Sequence, residues 1–333
     1  MILKLTKNTF LAGMLIMMVA CGGGGGTVDS GVSYSGSTSP ATLTEANAGQ
    51  LAGAALSNTG ESGALMLSVT DNNNTSSGPT SSHSLTIART MQDIVAHLEA
   101  NPQIIAPVNF RAVTTQPETL IGECGGQVTM TFSGDPAAGS FSGSMNFSSY
   151  CNYGETVNGA VTISAQADAN GLVTSMTMTF IRLTFTTVNE SGTVIESATA
   201  TGSVTFTASV SPAVLAGTLT VDMVMRDNVT TKTFWVNNYT ISVIDYPSLG
   251  YEEVTITSGR FYHSDHGYVD IVTPIPLLIN YADEYPYEGS FKITGQNSSA
   301  LLTAIDPINY TLEIDIDRNG SIDVIQTGLW TEL

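Results

Sequence analysis

Three aspartates near the carboxyl terminus have the spacing of a cation-binding loop. The stretch DIDRNGSID follows the D-x-D-x-N-G-x-x-D pattern of calcium loops, whose ligands are carboxylate, amide and carbonyl oxygens. The twelfth position of an EF-hand frame is Gln326, where such a loop places a bidentate Glu, so part of the ligand shell is missing. The ligands that this frame predicts for calcium are Asp315, Asp317, Asn319, the carbonyl of Ser321, and Asp323.

Apolar residues alternate on both sides of this loop, which predicts a β-hairpin instead of two helices. A three-residue turn, Arg318–Gly320, with its Gly in the left-handed region, places Ile316 opposite Ile322 and Asp315 opposite Asp323. Like charges directly across a ladder are destabilising. Either solvent screens the carboxylates or a bound cation bridges them, and both alternatives stay open on the sequence.

A second group of metal-binding residue types lies in HSDHGYVD, which brings His263, Asp265, His266 and Asp270 within eight positions. Two imidazoles and a carboxylate are plausible zinc ligands. The HSDH spacing belongs to no recognised zinc motif, and a turn between two strands commonly collects Ser, Asp, His and Gly. We therefore interpret the segment as a turn rather than a metal site.

The start of the chain has the pattern of a secretory signal peptide. Lys4 and Lys7 precede an apolar run, residues 10–20, that ends in a small residue just before Cys21. This run is shorter than the roughly 20 residues that a membrane-spanning helix needs. The sequence therefore predicts export of the chain and removal of residues 1–20.

The stretch MVAC at residues 18–21 resembles the lipobox of bacterial lipoproteins, with Met18 where Leu is usual. The resemblance implies that Cys21 becomes the lipidated amino terminus, acylated with chains such as palmitate. Gly22, in place of Asp, favours sorting to the outer membrane, on either its periplasmic or its surface face. The alternative is an ordinary signal peptide beside an unmodified cysteine.

Residues 21–40 are rich in Gly, Ser and Thr and nearly free of large apolar residues, which predicts a flexible tether.

Without the signal peptide the chain keeps 8 basic against 29 acidic residues, a formal charge of −21. Binding to nucleic acid or to anionic lipid needs clustered Lys and Arg, so neither is expected as a partner. The acidic composition favours solubility and binding of divalent cations.

Cys124 and Cys151 are the two cysteines that follow Cys21, an even pair in a chain predicted to reach an oxidising compartment. We predict a disulfide between them, which stabilises the fold by about 3 to 4 kcal/mol through the unfolded state. A redox or metal-binding pair is the alternative. It is less favoured because the spacing is not C-x-x-C and no His lies nearby.

Helical periodicity is confined to residues 41–107. Thr44 is placed to cap an Ala-rich helix that ends at Leu56, and residues 82–102 repeat apolar side chains at helical spacing. A polar stretch without core-forming residues joins the two predicted helices. We expect this segment to form a small helical part of the fold.

Over residues 108–333 the apolar period changes from helical to the two-residue period of a strand, and β-branched and aromatic residues dominate between Gly-rich turns. Stretches such as GSVTFTASV and KTFWVNNYTISV are typical of strands. Leu219, Val221 and Met223 share one apolar face. We predict an α+β, mainly β fold, in which the small helical segment packs on a long antiparallel β meander that forms a curved sheet or half-barrel.

Four stretches resemble those of uncharacterised bacterial outer-membrane or surface lipoproteins: LTEANAGQLAGAAL, HGYVDIVTPIPL, YPYEGSFKITGQNSSALLTAI and IDIDRNGSIDVIQTGLWTEL. That family shares a Cys-Gly-rich start and a terminal D-x-D-x-D-G hairpin that ends in a Trp. The resemblance extends over most of the mature chain. It implies a fold and a location, and no activity is attached to it.

The sequence holds no G-x-S-x-G elbow, H-E-x-x-H pair, P-loop or Cys placed as a nucleophile. We therefore expect a non-enzymatic lipoprotein of the outer membrane, held by its N-terminal lipid, with a binding or envelope-structural role and a lipid, glycan or envelope protein as ligand. One alternative is a calcium-assisted surface adhesin or glycan-binding module. The third is an envelope hydrolase that uses paired carboxylates.

Overall fold

The computed structural model describes residues 31–56, 113–114, 117–135, 139–152, 154–167, 173–189, 192–210, 215–246, 248–283 and 285–333. These residues form one α-helix, α1 at 48–56, fifteen β-strands and a final 3-10 turn at Trp330–Glu332. The strands are β1 Val113–Thr114, β2 Glu118–Ile121, β3 Gly125–Asp135, β4 Ser140–Asn152, β5 Glu155–Ala167, β6 Val173–Val188, β7 Val194–Val210, β8 Leu215–Asp227, β9 Thr233–Tyr246, β10 Tyr251–His263, β11 Gly267–Asn280, β12 Glu288–Gly295, β13 Ser298–Ala304, β14 Asn309–Asp315 and β15 Val324–Leu329.

The strands follow one another in the sheet in chain order. From β3 to β15 each strand is hydrogen-bonded to the next, while β1 and β2 both pair with the other edge of β3. Pairing is antiparallel in β3 to β6 and in β9 to β15. The prediction of a mainly β antiparallel meander with a small helical segment is confirmed. The second predicted helix, at 82–102, and the lipobox cysteine lie outside the described residues.

The chain forms two compact units, and strands β7 and β8 contribute to both. Among the described residues, unit 1 holds 31–33, 113–205 and 225–231. Unit 2 holds 34–56, 206–224 and 232–333.

The core of unit 1 is built from one face of its strands. Alternate residues of β3 and β6 are buried, among them Met130 and Met178, so these methionine stripes are core as the two-residue period predicts. A β-bulge at Gly159 and Arg182 shifts the pairing of β5 with β6. A Cβ on Gly159, whose φ is 119°, would contact the carbonyl of Arg182, so the bulge needs glycine there. Beyond it Leu183 is buried, which keeps the apolar face continuous.

Helix α1 belongs to unit 2 and carries its small apolar residues on a buried face. Ala48, Leu51, Ala52 and Ala55 are fully buried. The described part of the helix runs to residue 56, and its first turn is organised by Asn47, whose Oδ1 accepts the N–H of Thr44 at 2.8 Å. Small side chains let the helix approach its neighbours closely, which the Ala-rich sequence favours.

Residues 34–41, which we call the strap, lie along the ends of β10 to β13 in unit 2. The N–H of Ser37 donates to the carbonyl of Ser264 at 3.2 Å. The N–H of Ala41 donates to the carbonyl of Tyr268 at 2.8 Å, and the carbonyl of Ala41 accepts the N–H of Gln296 at 2.6 Å. Pro40 forms a parallel bridge with Tyr268. The second half of the predicted tether is therefore packed, and any flexible tether ends before the strap begins.

Cys124, in the turn between β2 and β3, lies beside Cys151 at the end of β4. Their sulfur atoms are at bonding distance, their Cα atoms are 5.0 Å apart, and the N–H of Cys124 donates to the carbonyl of Cys151 at 3.1 Å. The predicted pair is therefore joined in unit 1.

In the part of the chain that the structure describes, no helix has the length and apolar character needed to cross a membrane.

Replacing both Cys124 and Cys151 with Ser should lower the free energy of unfolding by about 3 kcal/mol, because the unfolded chain regains the freedom of a loop that spans 27 positions. Thermal melts of parent and double variant measure the loss, and reduced parent protein serves as the control. A non-reduced digest of the parent should contain the linked peptides. Thiols that alkylate in the native parent would contradict the bond.

Candidate functional site

The loop between β14 and β15 holds the predicted cation ligands. Ile314 pairs with Val324, as the predicted register requires. The next expected pair, Ile316 with Ile322, does not form: residues 316–323 leave the ladder, and the two isoleucines are 38% and 45% exposed. The predicted three-residue hairpin is therefore wrong, and the strands are joined by a longer loop.

The carboxylate of Asp315 explains why the ladder ends. This side chain is buried, and its Oδ1 accepts the N–H of Asn319 at 3.1 Å while its Oδ2 accepts the N–H of Gly320 at 2.9 Å. Both Arg318 and Gly320 adopt positive φ, 56° and 89°. Hydrogen bonds from backbone N–H groups to an ionised oxygen are stronger than those between neutral groups. The loop thus wraps around one aspartate instead of extending the strands.

The remaining predicted ligands continue this network. Asp323 accepts the N–H of Ile316 at 2.8 Å through Oδ2, and Asp317 accepts the side-chain amide of Asn319 at 2.9 Å. The Oδ1 of Asn319 in turn accepts the N–H of Ser321 at 2.7 Å. Asn319 therefore orders the loop, and its amide oxygen is already in use.

The three carboxylates converge. Asp315, Asp317 and Asp323 each offer an oxygen atom, and these atoms lie within 4.8 Å of one another. Such a set suits a hard cation such as Ca²⁺. The site differs from an EF-hand in two respects. Strands flank the loop in place of helices, and the side chain of Gln326, at the twelfth position, donates to the carbonyl of Glu45 at 3.2 Å. The structure brings together three of the five predicted ligands as a candidate metal centre.

The HSDH segment forms the turn between β10 and β11, as predicted. His263 is buried and its Nδ1 accepts the N–H of Asp265 at 3.2 Å, while burial lowers the pKa of this imidazole. Lys232 binds Asp265 at 2.6 Å, and His266 lies 3.3 Å from the amide oxygen of Gln50. Within the described ranges, the three aspartates above are the one group of at least three such side chains close enough to share an ion.

Aromatic side chains line up across β9, β10 and β11, which the sequence analysis did not predict. Trp235 lies directly opposite Tyr262, and Tyr262 directly opposite Tyr268. The ring centroids are 4.6 Å and 5.3 Å apart, and the first pair is stacked. The indole N–H of Trp235 donates to Asp222 on β8 at 2.8 Å. We call these three residues, together with Tyr34, the aromatic clasp.

Tyr34 attaches the strap to this row. Its ring centroid lies 5.5 Å from that of Tyr262 and 6.1 Å from that of Trp235. Its hydroxyl is within hydrogen-bonding distance of the carbonyl oxygens of Ser37, at 2.9 Å, and His263, at 3.1 Å. Burial, with smaller contributions from neighbouring acidic groups, raises the pKa of Tyr34 to about 12, so the phenol stays neutral as a donor.

Arg260 covers the far end of the clasp. Its guanidinium carbon lies 3.9 Å from the ring centre of Tyr268, and its Nε donates to Asp270 at 2.7 Å. Within the clasp, Trp235 and Tyr262 stack on each other and Arg260 lies over the ring of Tyr268. Stacking on a sugar needs a free ring face. The row is therefore better suited to holding the strap than to binding a glycan.

Calcium should raise the melting temperature of the protein, because a bound cation relieves the repulsion among the three aspartates. With a Kd near ~1 mM, typical of extracellular modules, ~10 mM calcium contributes about 1.4 kcal/mol. Asp323→Asn should remove most of the response, since the amide oxygen can still accept the N–H of Ile316 while the charge is lost. Melts in calcium chloride and in sodium chloride of equal ionic strength measure the effect.

Asp283→Asn is the matched control, because it removes one carboxylate from another connection of unit 2. This variant should keep the full calcium response. Equal stabilisation of the parent by sodium and calcium would show that the three aspartates are only a solvated cluster.

Comparison with known proteins gives no match: no family model matches the chain, and neither the curated proteins nor the solved structures include one that is significantly similar.

Proposed function

We propose that this chain is an exported lipoprotein, anchored in the outer membrane through Cys21, with a binding or envelope-structural role. The signal-peptide pattern and the MVAC stretch support the anchor. The joined pair Cys124 and Cys151 supports an oxidising compartment, because disulfides persist there and are rare in the cytosol. No step of this proposal requires catalysis.

The attachment of the strap is the observation that carries the proposal. In a lipid-anchored protein, force applied to the body is transmitted through the chain that leaves the anchor. Here that chain is fixed to unit 2 by backbone hydrogen bonds from Ser37 and Ala41 and by the ring of Tyr34. A packed strap limits how far the body moves from the lipid, which suits a protein that stays at a membrane surface.

A calcium-assisted surface adhesin is the second candidate, and the convergence of Asp315, Asp317 and Asp323 favours it. Calcium is abundant outside cells, where modules with Kd values of roughly 10⁻⁴ to 10⁻³ M operate. In this role the cation stiffens the last hairpin of unit 2. A glycan-binding module is less favoured, because Trp235 and Tyr262 stack on each other and Arg260 lies over the ring of Tyr268.

Replacing Cys21 with Ser should release the protein from the membrane, because the thiol is the acceptor of the lipid. Detergent-phase partitioning and the mobility of the processed chain measure this in fractionated cells. Ala20→Gly is the matched control, since it keeps a small residue before the cysteine. A Cys21→Ser variant that stays in the detergent phase with unchanged processing would refute the anchor.

Replacing Tyr34 with Ala should free the strap, because the residue supplies the ring that packs on Tyr262. Losing a half-buried aromatic contact costs about 1 to 2 kcal/mol. Limited proteolysis should then cut within residues 34–41 while the rest of unit 2 stays resistant. Tyr34→Phe keeps the ring and loses the hydroxyl contacts, so its cleavage should be intermediate. A strap as resistant in the Ala variant as in the parent would show that the clasp does not hold it.

A further inference from the structure

Two carboxylates face each other at the end of β9 and β10 that lies away from the aromatic clasp. Asp245 on β9 is directly opposite Glu252 on β10. Directly opposed side chains in an antiparallel pair have Cβ atoms roughly 5 Å apart, so two like charges there repel strongly. The hydroxyl of Tyr281 donates to Asp245, and the backbone N–H of Tyr281 donates to the carbonyl of Gly250 at 3.1 Å.

The environment of this pair disfavours a second negative charge. Burial, and to a lesser degree Asp245, raises the pKa of Glu252 to about 8. Burial also raises the pKa of Asp245, against the opposing effect of the Tyr281 hydroxyl. The pair therefore holds a proton at neutral pH, because a neutral Glu252 avoids repulsion across the ladder.

The other titratable groups around the pair add no positive charge. Glu253 follows on β10, where successive side chains point to opposite faces. Burial, and to a lesser degree the charge of Glu253, raises the pKa of Tyr246. Asp283 accepts the amide of Asn280 at 2.7 Å, beyond the end of β11. Tyr251, Tyr287 and Glu288 are the other titratable groups near this end of β10 to β12. The basic residues of these strands lie farther along them: Arg260 pairs with Asp270, and Lys292 pairs with Val272. In the described part of the chain, no basic side chain shifts the pKa of Asp245 or Glu252.

We propose that Asp245, Glu252 and Tyr281 form a pH-dependent latch, which holds the end of β11 against the β9–β10 turn and weakens when Glu252 loses its proton. The latch is independent of the proposed anchor and of calcium. Tyr281 connects the pair to a neighbouring strand end, so repulsion between the carboxylates loosens that end locally. Tyr281 is 46% exposed as a residue, and the latch is therefore open to the surrounding pH.

The direction of the effect follows from linkage. A carboxyl whose pKa is raised in the folded state contributes stability that is fully present below its unfolded value of 4.5 and is lost as pH rises through its folded value of about 8. The open fraction of the latch should thus increase roughly tenfold per pH unit within this window and level off above it.

Hydrogen exchange of the full chain, corrected for the intrinsic dependence of exchange on pH, tests the latch between pH 5 and 9. Peptides covering 246–252 and 278–283 should lose protection as pH rises in the parent and level off near pH 8. Glu252→Gln should flatten this dependence, because the amide keeps the shape and cannot ionise. Glu253→Gln removes the same charge one residue away and should behave as the parent does.

Tyr281→Phe supplies a second, independent variant. Without the hydroxyl, peptide 278–283 should exchange faster than in the parent already at pH 5, where Glu252 is protonated. A pH-independent parent, a Glu252→Gln variant that keeps the parent's dependence, or an unchanged Tyr281→Phe variant would each overturn the proposal. A Cys21→Ser variant should keep the pH dependence of hydrogen exchange, which would show that the latch does not depend on the membrane anchor.

Discussion

Pairing of each strand with the next in the chain is the constraint on which the rest of the structure depends. It places successive side chains on opposite faces, so one apolar face must run without interruption through strands of unequal length. Two irregularities preserve that face. In unit 1 the bulge at Gly159 and Arg182 resets the alternation of β5 and β6, and in unit 2 the ring of Tyr239 packs over Gly259, where no Cβ fits.

The architecture follows from local sequence because hairpins between neighbouring strands need only local information. Alternation of apolar residues predicted the strands, and the pairing of Ile314 with Val324 was predicted from the same rule. The rule failed at the next expected pair, Ile316 with Ile322. There the side chain of Asp315 accepts the backbone N–H groups of Asn319 and Gly320, so the chain forms a loop in place of further strand pairing. Side chains that compete for backbone hydrogen bonds override periodicity, and composition does not reveal that competition.

Sites formed across strands could not be predicted in the same way. Trp235, Tyr262 and Tyr268 meet only because of the registers of two hairpins, and the irregularities between Ile256 and Arg260 shift the register along the same strand. The strap was expected to be flexible because it has few apolar residues. Its order depends instead on the single ring of Tyr34 and on backbone hydrogen bonds to distant strands, which residue composition does not encode.

The bridge between Pro40 and Tyr268 also orders the events of folding. The ribosome makes the strap early, whereas the strands that receive it are among the last to be made. Hairpins of neighbouring strands can form as soon as both of their strands exist, but the strap must wait until β11 and the β12–β13 turn are complete. Closure of unit 2 is therefore a late, long-range step in which a loop of more than two hundred residues is joined. Until then the strap lacks the backbone hydrogen bonds that it makes with Tyr268 and Gln296.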